Sequence, residues 1–396
     1  MGRACGYDPA FLSSILELHL KRDHRLAAIL VGACVVALPS HSAAQNEEEP
    51  GWGPAFGSRS LYALHVPIFD FGPAQTRALA PGESEWTLES GYANTFSHSW
   101  HAIHYHESLG PTGTPFRADE AARIHRDFPE ETAWFLDGEV LRSAFWGRVG
   151  LDSSLSLSAE IPWISHDAFT ADRLIVSFHR AFGLGQAGRT DFPTGRFVAM
   201  LQQSNGAMRF DNRTPEPGIG DVSASLSWRP RPLSGGRTFG IDLAVKAPTG
   251  AAADYNGSGS WDAGLLVFLA RPGRLWYFDA QAGVIFPGRW KGTVPLSVSP
   301  FARVFLSVAR RLGPNTRLGA SVTYEQSPFR REPLGEVSKA GMEVAAGLER
   351  DLARDVAVRL TVTEHMSALG DRADVGAALG VRCRLGAGTK GGGSSR

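Results

Sequence analysis

The sequence predicts an all-β protein, an antiparallel up-and-down transmembrane β-barrel of about 12 strands, within a range of about 10–14. Three observations predict this fold. From about Glu83 onward, polar and apolar residues alternate with a period of two in many successive segments, as they do in strands with one apolar face. A candidate export signal precedes these segments. No later stretch holds the roughly 18 consecutive apolar residues that predict a transmembrane helix.

The N-terminus predicts a secretory signal of the Sec type. Basic residues between 21 and 25 precede an apolar run at residues 26–38, and small residues follow at 42–44. A basic region, a short apolar region and a small-residue cleavage site make up such a signal. Residues 1–44 are therefore predicted to be a signal peptide with an extended N-terminus. Lipidation of Cys34 after a different cleavage is the alternative.

Composition excludes several classes of protein. The chain has 40 basic and 40 acidic residues and a formal net charge of zero, which argues against a nucleic-acid partner. Cys5 and Cys34 lie in the predicted signal peptide, so Cys383 alone remains and no intramolecular disulfide can form. An exported chain of this length must then be held together by a hydrogen-bonded fold. The residue patterns predict no cofactor.

The mature chain divides into three predicted regions. Residues 45–82 are predicted to be a periplasmic lead-in, residues 83–385 the β-barrel, and residues 386–396 a disordered tail rich in glycine and serine. Within the lead-in, residues 61–71 are too rich in proline and aromatic residues for a helix. They predict either a first strand or a segment that plugs the barrel.

The predicted strands follow one another with alternating short turns and long connections, as in a barrel whose two ends face different compartments. The alternation is clearest at residues 85–96, 154–161, 221–228, 238–246, 356–363 and 374–385. Further strands are predicted around residues 139–149, 173–182, 264–270, 275–286, 301–310, 317–324 and 339–348. Turn signals fall at 271–273, 312–315 and 350–354, and no segment predicts a helix.

The apolar faces of these strands are predicted to point outward, towards lipid. The polar faces carry many small residues, such as Ser223, Ser225 and Ser227, and charges of both signs, which suits a wet interior. Aromatic residues lie near predicted strand ends, where membrane interfaces favour them. These are Trp86, Phe96, Trp134, Trp163, Trp228, Trp261, Trp276 and Trp290. The alternative is a secreted soluble β-barrel that holds apolar ligands inside.

Several short motifs carry a resemblance to a known family. They include Phe-Leu-Asp-Gly-Glu at 135–139, Glu-Ile-Pro at 160–162, Phe-His-Arg-Ala-Phe-Gly-Leu at 178–184 and Lys-Ala-Pro-Thr-Gly at 246–250. Together they resemble an uncharacterised family of Gram-negative outer-membrane proteins, known only as a domain of unknown function, across residues 66–385. The last motif is more distantly similar to the MetA-like phenol-degradation transporter barrels. The resemblance implies an outer-membrane barrel and no particular activity.

Charged residues on the polar strand faces are the predicted lumen residues. They could set the selectivity of a pore, or they could pair across the lumen and close it. The candidates are Arg142, Arg148, Glu160, His179, Arg180, Asp242, Lys246, Arg303, Glu343, Arg359 and Arg382.

Histidines provide the weak candidates for chemistry. His101, His104 and His106 have a spacing that could hold a divalent metal ion, although a histidine-rich exposed loop is the commoner explanation. His179 could act as the base of a lipid-acting hydrolase, with Ser177 on the same strand face. A loop or lumen contact explains His179 more simply, so no catalytic residue is assigned.

These observations predict a non-catalytic barrel of the cell outer membrane that passes or binds small solutes. The expected partners are outer-membrane lipids and lipopolysaccharide, the barrel-insertion machinery and unidentified small solutes, with no nucleic acid. The alternatives are the barrel-embedded hydrolase and the soluble barrel described above.

Overall fold

The computed structural model describes most of the chain beyond residue 55. The described residues are 56–57, 59–109, 113–166, 177, 180, 183, 189–193, 195–230, 233, 236–294, 296–332, 334–353, 355–366 and 375–386. The predicted signal peptide, His179 and residues 387–396 lie outside this described part.

Fifteen strands are present among the described residues, and two helices lie in the connection between the first two strands. No helix in the described part of the chain is long and apolar enough to cross a membrane. The helices are α1 (Trp100–Leu109) and α2 (Ala118–Asp127). The strands are β1 (Ser84–His98), β2 (Ala133–Gly150), β3 (Leu155–Ser165), β4 (Val198–Gln202), β5 (Met208–Asp211), β6 (Gly218–Ile219), β7 (Ser223–Trp228), β8 (Thr238–Lys246), β9 (Asp262–Pro272), β10 (Trp276–Phe286), β11 (Phe301–Gly313), β12 (Thr316–Glu325), β13 (Gly341–Ala353), β14 (Val356–His365) and β15 (Val375–Leu385).

Twelve of these strands form a closed antiparallel ring. Strands β1, β2, β3 and β7 pair in that order, each later strand pairs with the next, and β15 pairs back onto β1. Strands β4 and β5 extend the sheet beside the first residues of β2, and β6 lies beside the end of β3. The ring has no open edge, so its backbone groups are satisfied within the barrel. The predicted barrel of about 12 strands is confirmed.

The side chains of the ring alternate between an apolar outer face and a largely polar inner face. Along β11, Leu306 is 53% exposed, whereas Phe305 and Ser307 beside it are buried. Along β10, Phe286 is exposed, and Asp279 is buried on the inner face. The outer band is therefore apolar, as lipid requires. A water-soluble barrel would expose polar side chains on its outer face, so the apolar outer band contradicts the soluble alternative.

Aromatic side chains mark both ends of the outer band. Four of the predicted residues are exposed near strand ends: Trp86 and Trp228 beside the short turns, and Trp163 and Trp261 at the opposite end. The prediction is wrong for Phe96 and Trp290, which are buried. Trp290 lies in a connection and packs on Phe329, and its indole N–H donates to the carbonyl of Val294 at 2.7 Å.

The sequence predicted no helix, and this prediction is wrong, because α1 and α2 are present. Helix α2 turns Ala121 and Ile124 towards a buried cluster that includes Phe135 of β2. The Glu120 side chain accepts a hydrogen bond from the Arg117 backbone N–H at 2.6 Å and so caps the helix start. The apolar stripe of α2 spans only about one turn, which is too short for its helical period to stand out.

Residues 56–57 and 59–79 lie inside the ring and are called the plug below, and the exposed residues 80–82 lead from the plug towards β1. No strand occurs at residues 61–71, which leaves the plug-like alternative of the sequence analysis. The backbone N–H of Ala63 donates to Thr95 of β1 at 3.2 Å, and that of Ala74 donates to Gln281 of β10 at 3.0 Å. Contacts with inner faces on different sides of the ring place this segment in the lumen.

The plug runs along the barrel axis and turns back on itself. Near the short turns, Thr76 hydrogen-bonds Tyr277 at 2.8 Å. At the opposite end, the Phe69 N–H donates to Asp262 at 2.9 Å, and the chain turns at residues 62–66. On the N-terminal side of this turn, the chain lies further from that end of the barrel, and Phe56 packs near the middle of β12 and β13. The plug is a hairpin-shaped segment without strand pairing of its own.

Leu306→Arg is expected to destabilise the barrel by about 2–4 kcal/mol, because it places a charge on the lipid face near the middle of β11. Leu312→Arg is the matched control, since Leu312 is equally exposed on the same strand but adjoins a short turn, where the cost is about 0–1 kcal/mol. Urea titration of folding into lipid vesicles measures both. Equal costs for the two variants would contradict the outward orientation.

Candidate functional site

The predicted lumen residues of the ring lie on its inner face and form ion pairs there. Arg142 pairs with Glu160, Asp242 with Arg229, and Arg148 with Glu85; Lys246 contacts Asp262, Arg359 pairs with Glu89, Arg382 with Glu349, and Arg303 with Asp70. Glu343 occupies an inner-face position of β13. The interior is thus lined by charges of both signs. Most of the pairing joins neighbouring strands, and part of it joins a strand to the plug.

Two of the predicted lumen residues, His179 and Arg180, fall in the β3–β4 connection. Arg180 is exposed, and His179 lies outside the described residues. The described part of the chain therefore gives the lipid-hydrolase hypothesis no support.

The three candidate metal ligands in α1 have different neighbours. His101 pairs with Glu131 at 2.8 Å, His106 pairs with Glu120 at 2.9 Å, and the ring of His104 stacks on Trp100. Among the described residues, no group of three or more His, Cys, Asp or Glu side chains could hold a metal ion. The helix explains this separation, since residues 101, 104 and 106 do not share one helix face.

One anchor of the plug is the ammonium group of Lys246, at the end of β8. Its Nζ donates to the carbonyl of Pro67 in the plug at 3.0 Å and to the Ser258 hydroxyl at 2.6 Å. The same Nζ contacts the carboxylates of Asp262, at 3.0 Å, and Asp221. The two carboxylates also accept backbone N–H groups, among them that of Phe69 in the plug. Lys246 therefore holds one end of the plug and two buried carboxylates at once.

Arginine side chains of the ring donate hydrogen bonds to backbone carbonyls of the plug. Arg229 Nε donates to the carbonyl of Gln75 at 2.7 Å, and Arg148 Nη1 donates to that of Arg77 at 2.8 Å. Arg303 donates to the carbonyl of Phe71. The plug lacks a partner strand, so these side chains satisfy carbonyls that would otherwise be buried without a hydrogen bond.

Glycines on the inner face admit the aromatic side chains of the plug. The ring of Phe56 lies against Gly319 of β12 and Gly347 of β13, and the ring of Phe71 lies against Gly264 of β9. A Cβ atom at Gly264 would lie 2.6 Å from Cε2 of Phe71, so a larger residue there would overlap the ring. These close approaches fix the side of the lumen on which the plug is packed.

Gly319→Val is expected to displace Phe56 and loosen the plug, because the new side chain would occupy the position of the ring. Faster proteolysis of the plug in the folded barrel, by about tenfold, would report this loosening. Phe56→Ala in the same chain should restore most of the protection, since it removes the overlap. Unchanged proteolysis in the single variant would contradict the packing of Phe56 on β12.

Among the described residues, two cavities lie between the plug and strands β2, β3 and β7. The larger has a volume of about 120 Å³ and is bounded by the small inner-face residues Ala144, Ser158, Ser225 and Ser227. The smaller, of about 20 Å³, adjoins Pro162, Ile164, Ser223 and Lys246. The larger cavity lies in the half of the barrel with the short turns, and the smaller lies towards the other end.

A three-residue ion cluster, defined here as the Arg59–Glu160–Arg142 cluster, borders both cavities. Arg59 of the plug pairs with Glu160 of β3 at 2.8 Å, and Arg142 of β2 contacts the other oxygen of the same carboxylate. One negative charge is thus shared between two guanidinium groups. The sequence predicted Arg142 and Glu160 as lumen residues but gave no signal for Arg59, whose segment has no strand periodicity.

A family model described as a protein of unknown function, DUF3187, matches residues 116–385. The chain belongs to this family. The resemblance inferred from the sequence motifs is thereby confirmed, and the family match begins after the plug and β1.

Several solved structures resemble the chain at low identity. An outer membrane channel from Pseudomonas putida F1 is 10% identical, with a TM-score of 0.48 over 80% of this chain and 100% of that one. The NanC porin is 7% identical, with a TM-score of 0.38 over 76% and 100%. The Pseudomonas putida toluene transporter TodX is 12% identical, with a TM-score of 0.35 over 78% and 91%. No curated protein matches the chain significantly.

Just beyond the end of β3, burial lowers the pKa of His166 to about 4. The ring lies against Phe197 and Tyr255, and Nε2 hydrogen-bonds the Tyr255 carbonyl at 3.3 Å. The unfolded chain takes up this proton near pH 6.5, whereas the folded chain resists until about pH 4. Folding stability is therefore fully present above about pH 6.5 and falls as the pH drops towards 4.

His166→Gln is expected to flatten the pH dependence of unfolding between about pH 6.5 and 4, because glutamine does not titrate and still carries an N–H donor. The largest slope that the histidine can contribute is about 1.4 kcal/mol per pH unit. Urea titrations of the parent and the variant across this range measure the difference. Identical slopes would show that His166 is protonated equally in both states.

Proposed function

We propose that this protein is a non-catalytic outer-membrane channel for small polar solutes, with its own N-terminal plug in the lumen. The observation that carries the proposal is the closed ring with an apolar outside and a charged inside. A water-filled path needs such a polar lining, and a soluble binding protein for apolar ligands needs the reverse. The larger cavity supplies space for several water molecules or a small ion beside the plug, and the smaller one supplies space for about one water molecule.

The proposed orientation places the short turns in the periplasm and the long connections outside the cell, as is usual for bacterial barrels. The predicted signal peptide would deliver the chain to the periplasm, where the barrel-insertion machinery would place it in the outer membrane. Lipopolysaccharide and phospholipid would then contact the apolar band. The plug joins β1 at the short-turn end, so it enters the lumen from the proposed periplasmic side.

Currents through planar lipid bilayers test the channel function. We expect the purified, signal-free chain to produce small but reproducible current steps in potassium chloride, because the plug leaves only narrow spaces. Heat-denatured protein at the same concentration is the control. Currents no larger than those of protein-free bilayers at every applied potential would contradict the proposal.

A further inference from the structure

We propose that solutes pass along one wall of the lumen, between the plug and strands β2, β3 and β7, and that this path favours small anions. The inference rests on the proposed channel function and specifies the route and the class of solute. It follows from the packing of the plug, the order of the cavities and the charges that line them.

The aromatic side chains of the plug pack on β9, β11, β12 and β13, whereas its contacts with β2, β3 and the end of β7 are hydrogen bonds and ion pairs. Phe56 lies on Gly319 of β12, the Cβ position of Gly57 meets Phe305 of β11, and Phe71 lies on Gly264 of β9. Strands β2, β3 and β7 are on the other side of the closed ring. Short side chains occur on their inner faces at Ala144, Ser158, Ser225 and Ser227, and a gap remains beside these four residues.

The two cavities follow this gap at successive levels of the barrel. On β3, the larger cavity contacts Ser158 and Glu160, and the smaller contacts Glu160, Pro162 and Ile164. On β7, the larger cavity contacts Ser225, which is opposite Ser158 of β3. The smaller cavity contacts Ser223, which is opposite Glu160 of β3. The cavities therefore lie one after the other along the axis, and the Arg59–Glu160–Arg142 cluster lies between them.

The charges that line the larger cavity favour anions, whereas the smaller cavity is lined by three cationic and three anionic side chains. The larger cavity is lined by five guanidinium groups and three carboxylates, which are Arg59, Arg142, Arg148, Arg229, Arg359 and Glu89, Glu160, Asp242. Arg148 is only 2% exposed, and its Nε has no hydrogen-bond partner among the described residues. A buried guanidinium N–H beside a cavity is a suitable donor for chloride or a small carboxylate.

The Arg59–Glu160–Arg142 cluster acts as the constriction. Glu160 offsets one of the two positive charges that an entering anion would otherwise contact, so the cluster keeps one net positive charge. A small anion can exchange with the Glu160 carboxylate for these donors, whereas a cation would meet two positive charges first. Removing the charge of Glu160 should then strengthen anion passage, and removing that of Arg59 should weaken it.

Reversal potentials in a potassium chloride gradient test the inference on the full mature chain. We expect the parent to prefer chloride over potassium. Glu160→Gln should raise the chloride-to-potassium permeability ratio by about two- to threefold, and Arg59→Gln should lower it. Glu349→Gln is the matched control, since it removes the same charge from a buried inner-face position of β13, outside the lining of both cavities. It should leave the ratio unchanged.

The outcomes separate the inference from the channel proposal. A conducting parent that prefers potassium would overturn the anion class. Equal effects of Glu160→Gln and Glu349→Gln would overturn the route along β2, β3 and β7. Arg59→Gln changes only the plug, so it remains informative if a variant of the wall fails to fold. Absence of current in the parent and every variant would instead overturn the channel function itself.

Discussion

A chain that lacks residues 56–79 is expected to conduct at least about tenfold more current than the parent, because the plug occupies most of the interior of a 12-stranded ring. Such a ring is wide enough to hold water once its contents are removed. The deletion leaves β1 to β15 and their pairing intact, so the barrel should still insert. Single-channel conductance in planar bilayers measures the change.

Addition of a synthetic peptide with the sequence of residues 56–79 is the control for this deletion. It should lower the conductance of the deleted chain, since the charged side chains and the glycines of the ring that contact the plug are still present. A deleted chain that folds, as judged by its faster migration in unheated gels, and yet conducts like the parent would contradict the placement of the plug in the lumen.

Lys246→Met is expected to cost about 3–5 kcal/mol of folding free energy, the usual penalty for leaving a buried charge without its partner. The substitution keeps the length of the side chain but removes the ammonium group. Asp221 and Asp262 would remain buried, with only hydrogen-bond donors around them. The carbonyl of Pro67 would lose its donor as well, so the plug should loosen with the wall.

Lys339→Met provides the comparison for this effect. Lys339 also pairs with a carboxylate, that of Glu336 at 2.6 Å. The Lys339 side chain is 60% exposed and that of Glu336 is 50% exposed. Surface pairs of this kind contribute about 0–1 kcal/mol. Urea titration in lipid vesicles should therefore separate the two variants clearly. A cost below about 1 kcal/mol for Lys246→Met would contradict its role as an anchor.

The barrel could be predicted from the sequence because strand periodicity is a local signal. Each strand shows its two faces within about ten residues, and the charged inner positions, such as Arg142 and Lys246, follow from the same alternation. The orientation towards lipid followed from small and charged residues on one face. The helices could not be predicted, since α1 is dominated by histidine and aromatic residues and α2 has a very short apolar stripe.

The partners of the inner charges could not be predicted in the same way. Arg303 pairs with Asp70, and Glu160 pairs with Arg59, across separations of 233 and 101 residues. The plug has no periodicity because it forms no ladder; the wall fixes it through its carbonyls and through glycines such as Gly319. Glycines in strands suggest close approach of another group, but not which group approaches.

The central claim is that the apolar faces of the ring contact lipid and the charged faces enclose the lumen. Spin labels at four successive positions of β11, residues 304–307, in a Cys383→Ser chain reconstituted in vesicles test it most directly. We expect high collision rates with oxygen, which concentrates in lipid, at 304 and 306, and low rates at 305 and 307, in agreement with their exposure. High oxygen collision rates at 305 and 307 with low rates at 304 and 306, or no alternation at all, would contradict it.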